Sequence, residues 1–489
     1  MNNYFVRIIR ELSVFVALMV ILPNCSNMIA TYQNDPTPTG SIIINNNDHF
    51  TKSASVTLTI TSKNAVEMCF SNNNLDWSLW EPFSEIKSWM LETGHGIQTV
   101  YCKTKSTDGK EYIFADTIIP IIEEKIVASV RSENAYFGGG NWSFTTSNLT
   151  SSHDGKTLIT ASMTNKKVYV YKWENNTWNE TIITSPNPSP YYFGNSIDCT
   201  PDGKTLIVGD IHKAEAHLFD WDGGVYKHQK TFTSPTPDKS NDYAVTVTIT
   251  DDGNTVLVGS WKHLDIGAVF LYKKNGVNWE ERKFMAPDAV AFDYYGLGVK
   301  ISGDGNTFAV GSPYHDDRKG AIYLYRWDGL SWNMVKISTS DGISNDIVGR
   351  HIGISQNGNR IIAGMRAWGN GNTNQGAAYV LDWNGSSWTE TKLTASDGYE
   401  NDKFGYCVSM SADGNTVAVS APGPESGALG KAYIFRLNGN IWNEEHILNA
   451  FDGATKDFYG NMVSISGDGS TIAVGAPMDD TGRGSVYVY

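Results

Sequence analysis

Hydrophobic residues in this chain fall in short runs that alternate with polar positions and break at turns. From Met462 the order reads MVSISGDGSTIAVGAP, an apolar strand pattern, a Gly-Asp-Gly turn and a second strand pattern. The same order recurs with its Asp-Gly step at Asp154, Asp202, Asp252, Asp304, Asp413 and Asp468, and Asn357-Gly358 fills the one gap. An aromatic-Gly pair opens most units, as at Phe137, Phe193, Tyr295, Phe404 and Tyr459. A third strand such as GSVYVY follows the second, and Trp178, Tyr226, Trp279, Trp332, Trp388 or Trp442 opens a fourth. Four short antiparallel strands cannot bury both faces of their sheet alone, whereas such sheets packed around an axis can. The period therefore predicts an all-β chain whose residues 124–489 form a seven-bladed β-propeller.

The last unit stops at Tyr489, three strands in. Ahead of the first unit, EEKIVASVRSENAYFG (Glu123–Gly138) matches EEHILNAFDGATKDFYG (Glu444–Gly460), a fourth strand leading into the next unit. The expectation is that the strand at 126–130 completes the last blade, so that the two ends of the array share one sheet without an open edge. Residues 40–120 carry period-2 patterns at Ser55–Ser62, Val66–Ser71, Thr99–Ser106 and Tyr112–Ile119, which predict a small β-sandwich. In front lie a Pro/Thr-containing linker, 26–39, and a 25-residue leader with Arg7, Arg10 and the apolar run Leu12–Leu22. That run is too short for a comfortable membrane span and reads as an export signal. LPNC, ending at Cys25, resembles a bacterial lipobox, which would make Cys25 a lipid anchor; plain cleavage and release is the alternative.

Composition narrows the function. A formal net charge of −14 argues against a nucleic-acid partner. The 47 glycines and frequent Asp-Gly and Asn-Gly steps fit tight turns. Of the five cysteines, alternation places Cys69 outward and Cys102 inward, which disfavours a disulfide between them, and Cys199 and Cys407 fall in separate strand patterns. Trp77, Trp80 and Trp89 read as packing residues of the sandwich rather than a sugar platform. The sequence has no G-x-S-x-G elbow, no G-K-[ST] loop, no C-x-x-C and no His pair flanking a Glu at metal-binding spacing.

FG…SISGDGSTIAVGAP resembles the FG-GAP repeat, the unit of integrin α-chain propellers and of many bacterial exported proteins. The N-terminal residues INNN…VTLTITSKNAVEMCFSNNNLDWSLWEPF…KSW resemble a bacterial Ig-like module, which usually serves as a spacer. Units three and five depart from the repeat, with VGSW (Val258–Trp261) and AGMRAW (Ala363–Trp368) in place of the closing motif. The integrin-type repeat carries D-x-D-x-D-G in the first turn and binds Ca²⁺ there. Here most turns hold one Asp, and only Asp251–Asp252 supplies a pair. The expectation is turn-forming Asp and no Ca²⁺ cofactor, with Asp251 and Asp252 the weak candidate.

A second acidic set lies in the links between units, SDGISND, SDGYEND and FDGATKD, and in the loops between strands two and three. Asp316, Asp317, Asp346, Asp402, Asp457, Asp479 and Asp480 are the candidate ligand-binding residues of an acidic rim opposite the Asp-Gly turns, with Asp341, Asp397 and Asp452 beside them. These features, with the resemblance, imply a monomeric, non-catalytic, exported or cell-surface protein. Its loops would bind an extracellular protein or glycan, and its membrane contact would be confined to a lipid anchor. The alternative is an extracellular carbohydrate-active enzyme using rim carboxylates such as Asp316 or Asp479.

Overall fold

The computed structural model describes residues 40–489 apart from 48–49, 52, 93–96, 121–122, 140–146, 189–191, 236–241, 367–374 and 424–428. The expected leader, Cys25 and the linker 26–39 lie outside the described residues. The chain divides into two compact units, Met1–Ile122 and Glu123–Tyr489. Among the described residues no helix is long and apolar enough to cross a membrane.

The first unit contains two sheets that share one core. Gly40–Ile44, Ser55–Ser62 and Ile86–Met90 form the smaller. Ala65–Ser71, Gln98–Ser106 and Glu111–Pro120 form the body of the larger. Alternation puts Ile42, Ile44, Val56, Leu58 and Ile60 from one sheet against Met68, Phe70, Val100, Cys102 and Phe114 from the other. Trp89 packs on this core and lies 5.2 Å from Phe70. Lys103 sits 4.3 Å above Trp77 and Lys105 5.7 Å from Trp80. Cys69 lies on the face away from this core, as alternation places it, yet it is only 2% exposed. Cys69 pairs in register with Lys103, so its face carries the Lys103–Trp77 layer, which alternation alone does not foresee. Cys102 pairs instead with Phe70, and both thiols are free.

In the second unit, seven four-stranded antiparallel sheets occur among the described residues, numbered here in order of their first strands. Sheet 4 is representative, with strands Gly298–Ile301, Thr307–Ser312, Ala321–Trp327 and Trp332–Ile337 in sequence order across the sheet. Each first strand packs on the first strand of the next sheet, and that of sheet 7, Met462–Ile465, packs on that of sheet 1, Leu149–Ser151.

The turn between strands one and two is built by one repeated circuit. Ser466 donates to Asp468 Oδ1 at 2.5 Å and accepts from the Thr471 amide at 2.9 Å, while Asp468 Oδ1 accepts from the Ser470 amide at 3.0 Å. Thr200–Asp202, Ser302–Asp304 and Ser411–Asp413 repeat it, and Ser355–Asn357 does so with an amide oxygen. This is an Asx-type turn, and the Gly after the Asp supplies the positive φ it needs, +73° at Gly469.

The opening aromatics wedge between sheets. Tyr295 bridges Gly267 of sheet 3 and meets Tyr323 of sheet 4 edge-on at 5.3 Å, and Phe404 and Tyr433 do the same at 5.2 Å. In sheets 4 and 7 the Gly of the second strand lets its backbone touch the Gly at the opening of the next unit: a Cβ on Gly475 of sheet 7 would run into the carbonyl of Gly138, and one on Gly311 of sheet 4 into that of Gly349.

Sheet 7 is finished by a strand from far upstream. Glu124, Lys125 and Ile126 pair antiparallel with Val488, Tyr487 and Val486. The pairing strand is thus Glu124–Ile126, not the expected 126–130. Residues 127–130 leave the sheet toward sheet 1, where the Val127 and Val130 carbonyls accept from the Tyr171 and Tyr169 hydroxyls. The mismatch arises because hydrophobicity marks Ile126 and Val127, while the paired positions are held by the charged residues Glu124 and Lys125.

Candidate functional site

The links between sheets and the loops between strands two and three pack on one another at one end of the unit. The Met478 amide donates to Asp457 O, and Asn345 and Ile347 donate to Asp317 O and Arg318 O. Here lie the carboxylates singled out by the sequence, and most have internal tasks. Each of four links carries two Asp residues five positions apart. The first grips the following sheet: Asp288 accepts from Tyr323 and Lys336, Asp341 from Tyr379 and Lys392, Asp397 from Tyr433 and Lys431, and Asp452 from Tyr487 and Lys125, all within 2.8 Å. Burial works to raise the Asp288, Asp397 and Asp452 carboxyls, but the Lys and Tyr hydrogen bonds outweigh it and hold them below the usual range.

The second Asp closes its own link. Asp293, Asp346, Asp402 and Asp457 accept from the backbone amides of Val290, Ile343, Tyr399 and Ala454, at 2.6–2.9 Å. Burial pushes the Asp346 and Asp457 carboxyls up. Asp293 also holds His315 Nδ1 at 2.7 Å. In sheet 7 the place of His315 is taken by Asp479, which is buried, pairs with Lys125 at 2.7 Å and accepts from Ser485. Asp480 pairs with Arg131 at 3.0 Å, and Asp317 accepts from Ser344 at 2.5 Å. Asp316, exposed and at φ +52°, has no side-chain bond among the described residues. The structure thus brings the predicted acids to one end but engages most of them. Between the paired Asp residues the links expose apolar side chains: Val290, Phe292, Ile343 and Tyr399 are each more than half exposed, as is Phe451 just ahead of Asp452.

At the opposite end the Asp-Gly turns form a collar. The residue before each turn Asp or Asn bonds its neighbour through backbone: His153 donates to Pro201 O, Asp251 to Gly303 O, Gln356 to Ala412 O and Ala412 to Gly467 O. The Asp468 amide donates to His153 O and the Asp304 amide to Gln356 O. Pro201, lacking an N–H, interrupts this series. Asp251, half of the weak Ca²⁺ candidate, lies over Gly303 and accepts from Gln356 Nε2 at 2.5 Å, and Asp252 is occupied by Thr250 and Asn254 within its turn. Among the described residues no group of three or more His, Cys, Asp or Glu side chains could hold a metal ion.

Inside the collar, the seven first strands enclose a cavity of about 180 Å³. Its wall carries Asp198, Lys300 and Arg350, which the sequence reading did not single out, and His351, whose place near a loop reads as surface but which is buried in the strand Val348–Ile354. Asp198 accepts from Lys300 at 2.8 Å, Thr248 at 2.6 Å and the Ile249 amide at 3.1 Å. Arg350 and His351 line the same cavity, and Arg350 Nε and His351 Nε2 are buried without a hydrogen-bond partner. Burial, aided by the nearby Arg350 and Arg366, pulls the His351 imidazole down to about 3. The signal was present as charge inside first-strand patterns, SIDC, GVKI and VGRHIGI, where the other units place Ser, Thr or apolar residues.

Three segments of the chain, 279–325, 388–435 and 442–489, match the FG-GAP repeat. They cover parts of sheets 3 to 7. No curated protein matches the sequence. Among solved structures, the chain is similar to hydrazine synthase of Kuenenia stuttgartiensis at 14% identity and a TM-score of 0.50, over 71% of this chain and 94% of that one. It is similar to the β-propeller domain of Cps50 (Swd1) from Myceliophteria thermophila at 12% identity and a TM-score of 0.50, over 75% of this chain and 99% of that one. At these identities the likeness concerns fold: four-stranded antiparallel sheets that resemble propeller blades.

Proposed function

We propose that the chain is a non-catalytic binding or adhesion protein, exported and displayed outside the cell, in which a seven-bladed propeller presents its inter-blade links to an extracellular protein or glycan. The Ig-like unit is a spacer, and Cys25 is the candidate anchor. The observation that carries this reading is the bracing of the links. Paired Asp residues fix each loop at both ends and leave Val290, Ile343 and Tyr399 pointing outward at corresponding positions. Preorganised loops lose little entropy on binding, which favours recognition over a merely soluble surface. The repeat resemblance and the propeller fold support a binding role in general terms. The exposed acid Asp316 and the exposed apolar side chains at the same end favour a partner with basic and apolar groups.

Screening the full chain, freed of its leader, against extracellular matrix proteins and a glycan array tests the reading. Saturable binding that falls at least about tenfold in Ile343→Ala/Tyr399→Ala supports it. Turnover of a polysaccharide, or binding indifferent to these links, contradicts it.

A further inference from the structure

The inner cavity has a charge pattern that the recognition face does not explain. The strand Val348–Ile354 runs toward the collar, so Arg350 stands near the end of the cavity away from it, while Gln356 and Asp251 sit in the collar itself. Between them, Lys300 and Asp198 neutralise each other. Arg350 has no carboxylate within ion-pairing distance among the described residues, and its Nε is buried unpaired. His351, next in the chain and only 5% exposed, lines the cavity with Nε2 also unpaired.

Buried donors are paired in folded proteins as a rule, and an unpaired guanidinium nitrogen and an unpaired imidazole nitrogen among the residues of one cavity wall mark a place where a partner belongs. Along the cavity the uncompensated positive charge lies at the Arg350 end and the negative charge of Asp251 at the other. An anion is therefore favoured at the Arg350 end. A guanidinium matches a planar carboxylate through two parallel N–H···O bonds. A cavity of about 180 Å³ is below the range of drug-sized sites, which favours a molecule about the size of a single sugar acid.

We propose that the cavity binds a small carboxylate, held by the Arg350 guanidinium with His351 Nε2–H as a second donor. The site is independent of the recognition face: it requires no partner protein, and its failure leaves that reading untouched.

Calorimetric titration of the full chain with sodium glucuronate, sodium acetate and glucose at low salt tests it. The expected result is saturable glucuronate or acetate binding, with glucose about tenfold weaker or worse. In Arg350→Gln the carboxylate affinity should fall about tenfold or more while the melting temperature is retained. Should that variant fail to fold, saturation-transfer NMR of the wild-type chain in an equimolar glucuronate–glucose mixture decides, with signal expected on the acid alone. No binding of either carboxylate at 20 mM ligand (on the order of the weakest affinities worth assigning), equal signals for acid and neutral sugar, or unchanged binding in a folded Arg350→Gln protein would each overturn the proposal and leave the cavity filled by water only.

Discussion

The Tyr489 hydroxyl donates a hydrogen bond of 2.8 Å to the carboxylate of Glu123, 366 positions earlier in the chain, and accepts one of 2.7 Å from Tyr459. Glu123 also accepts from the Phe451 amide. It therefore serves sheet 7 as Glu390 and Glu444 serve their own sheets, where they bind Ser340 and Ser396 of the preceding links. Beside it, Lys125 spans Asp452 and Asp479 at 2.6 and 2.7 Å. An upstream segment thus supplies the backbone pairing that every other sheet draws from its own fourth strand, and the Glu contact that sheets 5 and 6 draw from theirs.

Lys125→Ala should leave two partly buried carboxylates facing each other without a cation. We expect a loss of about 2 kcal/mol in urea unfolding, below the range for a fully buried pair because Asp452 is partly exposed. Lys392→Ala, whose partner Asp341 is half exposed, should cost less than about 1 kcal/mol.

Gly475→Ala forces a methyl group into the Gly138 carbonyl across the junction of sheets 7 and 1 and should cost about 3 kcal/mol or more. Gly223→Ala, at positive φ but in open space, should cost only about 1 kcal/mol. Thermal melts of the two variants side by side separate close approach from backbone strain.

The repeat period, the turn chemistry and the region of the closing strand, though not its paired residues, were legible in the sequence, because each depends on local signals: Asp-Gly turns, alternation and the match of Glu123–Gly138 to a later link. The use of the rim acids was not. Asp341 and Asp397 read as a charged surface, and their Tyr and Lys partners, 34 to 51 positions away, become visible only when the sheets pack. The cavity was hidden for the same reason. Asp198 and Lys300, 102 positions apart, meet only when the first strands of sheets 2 and 4 line one space.

Acid should act on two kinds of buried group with opposite sign. His217, held neutral by burial with a value down to about 4, lets the unfolded chain take up a proton first, so stability falls as pH drops from about 6.5 toward 4. Asp210, fully buried and pushed up to about 6 by burial and by Glu215, favours the folded state at low pH and loses that contribution as pH rises through about 6. Asp210→Asn should therefore stabilise the protein by about 2 kcal/mol at pH 8 and change little at pH 4, in denaturant titrations at both pH values.

Cys69, Cys102, Cys199 and Cys407 are free, and burial raises all four thiols, Cys102 and Cys199 to about 12 and Cys407 to about 11. Native protein treated with iodoacetamide at pH 8 should show none of the four modified by mass spectrometry, and denatured protein all four.

Amide hydrogen exchange on the full chain tests most directly whether Glu124–Ile126 belongs to sheet 7. The amides of Glu124–Ile126 and Val486–Val488 should be protected together and lose protection together in Lys125→Ala, while sheet 4 is unchanged. Free exchange at Glu124–Ile126 beside a protected Val486–Val488 would show that the two segments are not paired.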